Sequence, residues 1–151
     1  MENVSTLESL DTNTLKLLLR NELARKQEAS QKDFLTFVKH VWPDFIEGKH
    51  HKIYAEKLNR IANGELKRLI VNMPPRHTKS EFASHLFPAF FMGRHPKAKL
   101  IQTTHTGELA IRFGRKAKNM IESTEYEKVF PDVRLAADSK AAGRWESNHG
   151  G

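Results

Sequence analysis

Residues 69–81, Leu69-Ile-Val-Asn-Met-Pro-Pro-Arg-His-Thr-Lys-Ser-Glu81, decide which fold the sequence predicts. The first three residues form a short apolar run rich in β-branched side chains, which is typical of a buried strand. Pro74 and Pro75 exclude both a strand and a helix interior, because a proline has no backbone N–H to donate. A helical pattern resumes at Lys79. The stretch therefore predicts a loop between the end of a buried strand and the first turn of a helix.

The rest of the chain predicts further helices and a second strand. Helical periodicity runs over residues 7–28, 30–42, 49–62, 79–92 and 106–121, and an apolar run over 100–104 indicates the second strand. Ser30 and Thr106 are the predicted N-caps. Pro88 should kink or shorten its helix, and residues 138–140 are predicted to be loop. Helices followed by strand, loop, helix, strand and helix predict an α/β fold with a parallel sheet, flanking helices and preceding N-terminal helices.

The composition narrows the classes of function. The 151 residues, a length typical of one domain, include no cysteine. That excludes a disulfide framework, a cysteine zinc site, an iron–sulfur cluster and thiol catalysis. Lys and Arg number 25 against 18 Asp and Glu, and the net charge of +7 indicates either a polyanionic partner such as nucleic acid or a solvated basic surface. No apolar run approaches the ~20 residues that span a bilayer, so we expect no membrane partner.

The loop at residues 74–80 has the residues best suited to chemistry. A loop that follows a strand and opens a helix presents backbone N–H groups to an anion, and the helix dipole assists. There the Lys79 ammonium would reach the β- and γ-phosphates of a nucleotide, and the Ser80 hydroxyl would bind Mg²⁺. The usual pattern has glycines where this chain has Met73 and Thr78, and a β-branched residue is strained at positive φ. A proline-rich turn with an exposed Lys-Ser pair is the alternative interpretation.

The same segment closely resembles the Walker A region of the large terminase subunits of tailed bacteriophages, whose divergent loop has the form P-P-R-H-x-K-[ST]-E. The resemblance covers residues 30–151. Further matching motifs are His50-His51 with Tyr54 and Leu58, Asn63-Gly64-Glu65, Phe87-Pro88-Ala89, Gly93-Arg94-His95-Pro96, Phe113-Gly114-Arg115, Ile121-Glu122-Ser123, Tyr126, Phe130-Pro131, Asp138-Ser139-Lys140 and Gly143-Arg144-Trp145. The family implies a partial P-loop NTPase sheet as the fold, with ATP and Mg²⁺ as cofactors.

The resemblance also implies roles for individual residues. Arg76 matches a loop arginine that can stabilise charge on the γ-phosphate, with a structural salt bridge as the alternative. One of two adjacent histidines, His50 or His51, lies where these motors hold the adenine ring, unless both have surface or capping roles. Lys79 and Arg76 are the implied catalytic residues and Ser80 the metal ligand, within a nucleotide-binding set of Pro75, Arg76, His77, Thr78, Lys79, Ser80, His50 and His51.

By the same resemblance, the chain is the N-terminal portion of a packaging motor. Residues 1–29 would form an N-terminal helical segment and residues 30–151 an incomplete P-loop ATPase domain. The second motif of these ATPases, an apolar run ending in two acidic residues, is missing from the sequence, as is the nuclease domain. Hydrolysis needs a positioned water and a charge-balanced metal besides a phosphate cradle. We therefore expect nucleotide binding with poor hydrolysis.

The family implies partners and a location as well. Arg112, Arg115, Lys116 and Lys118 share one predicted helix and could grip the phosphates of double-stranded DNA, although a solvated helix face explains the same pattern. The implied protein partners are the portal protein, the small terminase subunit and the missing C-terminal half in trans. The implied location is the host cytoplasm and, transiently, the portal vertex of the procapsid. The alternatives are a non-catalytic fragment and a basic DNA-binding or assembly module whose Lys79 loop meets a DNA phosphate.

Overall fold

The computed structural model describes residues 11–137, 141 and 144–151. Its helices are α1 (Thr12–Lys32), α2 (Phe34–Val41), α3 (Lys49–Ala62), α4 (Lys79–Glu81), α5 (Phe87–Arg94), α6 (Gly107–Ile121) and α7 (Thr124–Val129). A π-helical turn, Phe82–Leu86, joins α4 to α5, so residues 79–94 follow one continuous helical path. The start of the first predicted helix at residues 7–10, the predicted loop at 138–140 and the motif residue Gly143 lie outside the described residues.

Aspartates cap the first two helices. Asp11 accepts a hydrogen bond from the Thr14 backbone N–H at 2.6 Å, and Asp33 accepts from the backbone N–H of Thr36 at 2.7 Å. The prediction that Ser30 caps α2 is wrong: Ser30 is buried within α1, which continues to Lys32. The boundary predicted between residues 29 and 30 therefore falls inside a continuous helix.

An aromatic core holds the helices together. Phe34, Phe82 and Phe90 are fully buried, and the Phe34 ring centroid lies 5.2 Å from that of Phe82 and 5.4 Å from that of Phe90. Both pairs have the edge-to-face geometry that aromatic rings favour. Tyr126, also fully buried, donates its hydroxyl to the Ala89 carbonyl at 3.0 Å. Each buried phenylalanine contributes about 1.5–3 kcal/mol relative to an exposed one, and the predicted apolar stripe of α2 is confirmed as core.

The predicted parallel sheet is wrong for the residues that the structure describes. They contain no strand, and their single β-bridge is an isolated antiparallel one between Leu135 and Ser147. The two predicted strands lie within the irregular segments 67–77 and 99–105, which form no backbone–backbone hydrogen bond with other described residues. The partial P-loop NTPase sheet implied by the resemblance is therefore not the architecture observed. The described part of the chain is a helical assembly.

The physical reason lies in how the apolar runs are buried. Leu69 and Val71 pack against the helical core, whereas Ile70 between them is 88% exposed. In the second segment, Ile101 is 89% exposed. An apolar β-branched run favours an extended chain, but a strand also requires a hydrogen-bonding partner of matching register. Neither segment has such a partner among the described residues.

A proline and a glutamine connect one of these segments to the helical path. Pro88 has no N–H, so the Ser84 carbonyl four residues earlier lacks its ordinary helical donor. The Gln102 side chain supplies one, with Nε2 donating to that carbonyl at 2.9 Å. The expected disturbance by Pro88 thus takes the form of a π-helical turn just before it. Such turns are frequent at functional sites.

Candidate phosphate-binding site

The backbone of residues 76–78 has an unusual conformation. Arg76 has a φ of 63° and Thr78 a φ of 58°, and they are the two non-glycine residues with positive φ in the described part of the chain. His77 between them has negative φ, so the sign alternates along the three residues. Left-handed residues within a tight turn can point successive N–H groups toward one side, which makes an anion-binding concavity. A left-handed non-glycine residue costs on the order of 1–3 kcal/mol and persists only where other contacts hold it.

The helical path begins directly after this loop. Its first backbone hydrogen bond runs from Phe82 N–H to the Thr78 carbonyl at 2.9 Å. The N–H groups of the first turn, at Lys79 and Ser80, therefore have no acceptor within the helix, as at every helix start. Phe82 lies fully in the aromatic core and anchors this turn. The loop thus joins a row of N–H groups to the positive end of a fixed helical path.

The predicted cations beside the loop have no partner in the described part of the chain. Arg76 is exposed and Lys79 half-buried, and neither forms an ion pair or a side-chain hydrogen bond with described residues. Ser80 is exposed one residue further on, and Pro75 is exposed on the other side of the loop. His77 donates from Nδ1 to the Pro75 carbonyl at 2.8 Å, which tightens the turn. The structure brings these predicted residues together around the loop.

His51 is connected to the same loop through its ring. Its Nδ1 accepts a hydrogen bond from the Gly48 N–H at 2.9 Å, and its Nε2 lies 2.6 Å from the Thr78 hydroxyl oxygen. An accepting Nδ1 requires that Nε2 carries the proton. The ring is 6% exposed, and its centroid lies 4.8 Å from that of Phe45. Sequence reasoning placed His51 near the adenine ring; the structure shows that both its nitrogens are already hydrogen-bonded.

Three histidines meet beside the loop. The ring centroids of His50 and His51 lie 3.8 Å apart, and those of His50 and His77 lie 5.5 Å apart. Burial lowers the pKa of His51, and the charges of His50 and His77 lower it further, while Glu47 opposes the shift. Because its pKa is lowered, His51 is uncharged near neutral pH. The neighbouring His50 Nε2 is buried without a hydrogen-bond partner among the described residues.

Glu81 connects the helical path to α6. Its carboxylate accepts from Lys116 Nζ at 2.5 Å and is paired with His85 Nδ1 at 3.0 Å. Burial raises the pKa of Glu81, but the hydrogen bonds from Lys116 and His85 outweigh it, and the net pKa is lowered. The ion pair with Lys116 could not be predicted from the sequence, because Glu81 and Lys116 are 35 residues apart. Opposite charges at such a separation give no local pattern.

The four cations predicted to contact DNA differ in their surroundings. Arg112 and Arg115 are exposed on α6, whereas Lys116 is held by Glu81. Lys118 is half-buried. Groups that grip a phosphate backbone must face solvent and be available for pairing. Arg112 and Arg115 meet that requirement best.

A cavity of about 450 Å³ lies away from the loop. Its lining includes Leu100, Ile101, Ile111 and Trp145, and none of the predicted nucleotide-binding residues. The loop itself is an open, polar surface with strained backbone. Open N–H groups and free cations suit a phosphate chain better than an apolar ligand, so we place the candidate site at the loop on chemical grounds.

The described residues hold no cluster of three or more His, Asp or Glu that could bind a metal ion by itself. A Mg²⁺ ion bound with a nucleotide takes most of its oxygens from phosphates and water, and needs one or two protein ligands. The Ser80 hydroxyl beside Lys79 fits that requirement, whereas the Glu81 carboxylate is already hydrogen-bonded to Lys116 and His85. Among the described helices, none is both long and apolar enough to cross a membrane.

Comparisons with known proteins found no match for this chain. No protein-family model, no curated protein and no solved structure matches it. The residues and geometry of the loop, together with the sequence motifs, therefore indicate what this chain binds.

Proposed function

We propose that residues 74–80 bind the triphosphate of Mg²⁺-ATP. The observation that carries this proposal is the alternating backbone of Arg76, His77 and Thr78 immediately before a helix start. Such a backbone is costly for non-glycine residues, and strain of this kind clusters at functional sites. An ordinary proline-rich turn between a coil and a helix needs no left-handed threonine.

Each side chain of the loop has a role in this proposal. The Lys79 ammonium pairs with the β- and γ-phosphate oxygens, and the Arg76 guanidinium binds the γ-phosphate and stabilises charge that develops there. The Ser80 hydroxyl is the protein ligand of the Mg²⁺ ion, which neutralises phosphate charge when it is bound. The N–H groups of the loop bind the remaining oxygens.

We further propose that the chain is the ATP-binding portion of a phage terminase large subunit, the motor that packages viral DNA into procapsids. The sequence motifs described above support this assignment. Its partners in this proposal are double-stranded DNA, the portal protein, the small terminase subunit and a C-terminal half supplied in trans. Its location is the host cytoplasm and, during packaging, the portal vertex.

The same proposal includes poor hydrolysis by the chain alone. Phosphoryl transfer requires a group that positions the attacking water. Glu81 is the carboxylate nearest in sequence to Lys79 and Ser80, and it is held by Lys116 and His85. A carboxylate that already accepts hydrogen bonds from two side chains is poorly suited to orient water.

Calorimetric titration of Mg²⁺-ATP into the 151-residue chain tests the proposal. Lys79→Ala should weaken binding by about 10- to 100-fold, because a charge-assisted hydrogen bond contributes about 1.5–3 kcal/mol. Lys97→Ala is the matched control, since Lys97 is exposed and lies outside the loop. Circular dichroism should show that all three proteins are equally helical.

Two outcomes would overturn the ATP assignment. One is the absence of binding by a folded wild-type chain, and the other is equal binding by wild type and Lys79→Ala. A parallel titration with duplex DNA at two salt concentrations tests the alternative that the loop binds DNA rather than ATP. Binding of DNA that is lost in Lys79→Ala, without ATP binding, would mean that the loop meets a nucleic-acid phosphate.

A further inference from the structure

The loop contains a threonine at a position where glycine would be free of strain. Thr78 has a φ of 58°, and a β-branched side chain rarely adopts the left-handed region. This residue also accepts the first hydrogen bond of the helical path through its carbonyl. Its conformation therefore aligns the loop N–H groups with the helix, and some contact must offset its cost.

A directed chain of hydrogen bonds provides that contact. Gly48 N–H donates to His51 Nδ1, and the proton on His51 Nε2 then points to the Thr78 hydroxyl oxygen 2.6 Å away. The Thr78 hydroxyl in turn donates to the His77 carbonyl at 2.6 Å. Each group in this series of hydrogen bonds can act in only one way, as the donor or as the acceptor of the bond in question. The chain connects the start of α3 to the strained residue.

We propose that neutral His51 is a positioning residue that holds Thr78 in its left-handed conformation and so preorganises the loop for a triphosphate. This inference rests on the proposed function, because the triphosphate is the ligand whose affinity it changes. Direct contact between His51 and the ligand is not required. The ring acts through the threonine hydroxyl.

Protonation of His51 would break this series of hydrogen bonds. A proton on Nδ1 replaces the acceptor that Gly48 N–H needs. The ionisable groups that face the ring are His50 on α3, His77 in the loop and Glu47 before α3. Because the pKa of His51 lies below its ordinary value of 6.5, the hydrogen-bond chain is intact at neutral pH and is lost as the pH falls through the lowered pKa.

The first test is a double-mutant cycle on Mg²⁺-ATP affinity. His51→Ala should weaken binding about three- to tenfold in the wild-type background, as expected for one hydrogen bond. In a Thr78→Gly background the left-handed residue needs no support, so the same substitution should cost about twofold or less. Equal losses in the two backgrounds would overturn the proposal.

His95→Ala, at a partly buried histidine outside the loop, is the control for the loss of an imidazole ring. His95 Nε2 donates to the Ala62 carbonyl at 2.8 Å, at the other end of α3 and about 16 Å from His51 along the helix. It should leave the affinity unchanged. His51→Gln should restore wild-type affinity, because its amide can donate to Thr78, and should lessen the loss of affinity that the wild type shows as the pH falls below 6.5. A pH profile identical to that of the wild type would count against His51 as the titrating group.

A second readout needs no nucleotide. Nitrogen NMR of the imidazole should show His51 protonated at Nε2 and unprotonated at Nδ1 at pH 7.5; the opposite tautomer would overturn the proposal. The same double-mutant cycle is also measured on the free energy of unfolding. There His51→Ala should destabilise the wild-type protein more than it destabilises the Thr78→Gly variant. If the wild-type chain binds no ATP, the proposed function fails, while this stability cycle still decides whether His51 positions Thr78.

Discussion

The aromatic core and the loop at residues 74–80 meet at one short stretch of helix, yet they are built in opposite ways. In the core, Phe34 and Phe82 are fully buried and lie in right-handed helical backbone. In the loop, Arg76 is exposed and its backbone is left-handed. Phe82 follows Lys79 by three residues, so the packed core fixes the helix on which the strained loop ends. A packed core that supports a strained, exposed loop is the arrangement expected of a binding site on a scaffold.

The comparison shows that apolar character alone does not make a residue part of the core. Ile70 is as apolar as the core residues but is 88% exposed, in a segment without strand partners among the described residues. The Ile70 side chain would be buried only if another apolar surface packed against it. The contrast between Phe34 and Ile70 can be measured directly.

Phe34→Ala should have the largest effect. It removes a fully buried ring that contacts Phe82, Phe87 and Phe90, and it should lower the free energy of unfolding by about 3–5 kcal/mol. Ile70→Ala should change it by about 0.5 kcal/mol or less. Urea denaturation followed by circular dichroism measures both. A loss at Ile70 comparable with that at Phe34 would show that the exposed segment packs in solution.

Asp33→Ala should have the next largest effect on stability. The Asp33 carboxylate caps α2 through Thr36 and also accepts from the Asn59 amide at 2.7 Å. Asn59 in turn accepts from the Phe34 N–H at 2.8 Å, so the cap is joined to α3. We expect a loss of about 2 kcal/mol in the same denaturation experiment. Asp44→Ala, at an exposed aspartate in a turn, is the control and should be nearly neutral.

Arg76→Ala tests the loop rather than the core. It should weaken Mg²⁺-ATP binding by about tenfold, because it removes a charge-assisted contact to phosphate, and leave the unfolding midpoint within about 1 °C. Arg144→Ala, at an exposed arginine outside the loop, is the matched control for titration. A large drop in the unfolding midpoint would instead identify Arg76 as a structural residue.

Glu81→Gln should have the smallest effect, and the size of that effect depends on pH. The folded pKa of Glu81 is lowered, so its stabilising contribution is present above the unfolded value of 4.5 and is lost as the pH falls through the folded pKa. The pair with Lys116 is about one-third exposed, so we expect about 1 kcal/mol or less at pH 7. Wild type and variant should converge once the pH lies below the folded pKa of Glu81. A difference that persists there would contradict an electrostatic origin.

Much of the helical pattern was predictable from local sequence. The apolar stripe of α2, the end of α3 at Asn63-Gly64 and the Thr106 cap of α6 are confirmed. Each depends on residues within a few positions of one another. Ser30 was the wrong cap because α1 continues through it to Lys32, and Asp33, three residues further on, caps α2 instead.

The loop was located from its prolines and the Lys-Ser pair, but its supports were not. His51 and Thr78 are 27 residues apart, and Glu81 and Lys116 are 35 apart. No periodic pattern announces contacts of that kind. The strain at Thr78 was foreseen, whereas the ring that holds it was found only in the structure.

Local chemistry by itself determined the helix periods, the break at Pro74-Pro75, the cluster of cations and the absence of cysteine chemistry, because each follows from neighbouring side chains. The tertiary structure alone decided that the apolar runs at 69–71 and 100–101 stay outside any sheet in the described residues, and that a buried histidine supports the loop. Strand pairing and hydrogen-bond networks depend on which distant groups meet with the right register and geometry. That choice is made by packing over the whole molecule, because the free energy of a paired edge or a buried ring exists only after its partner is in place.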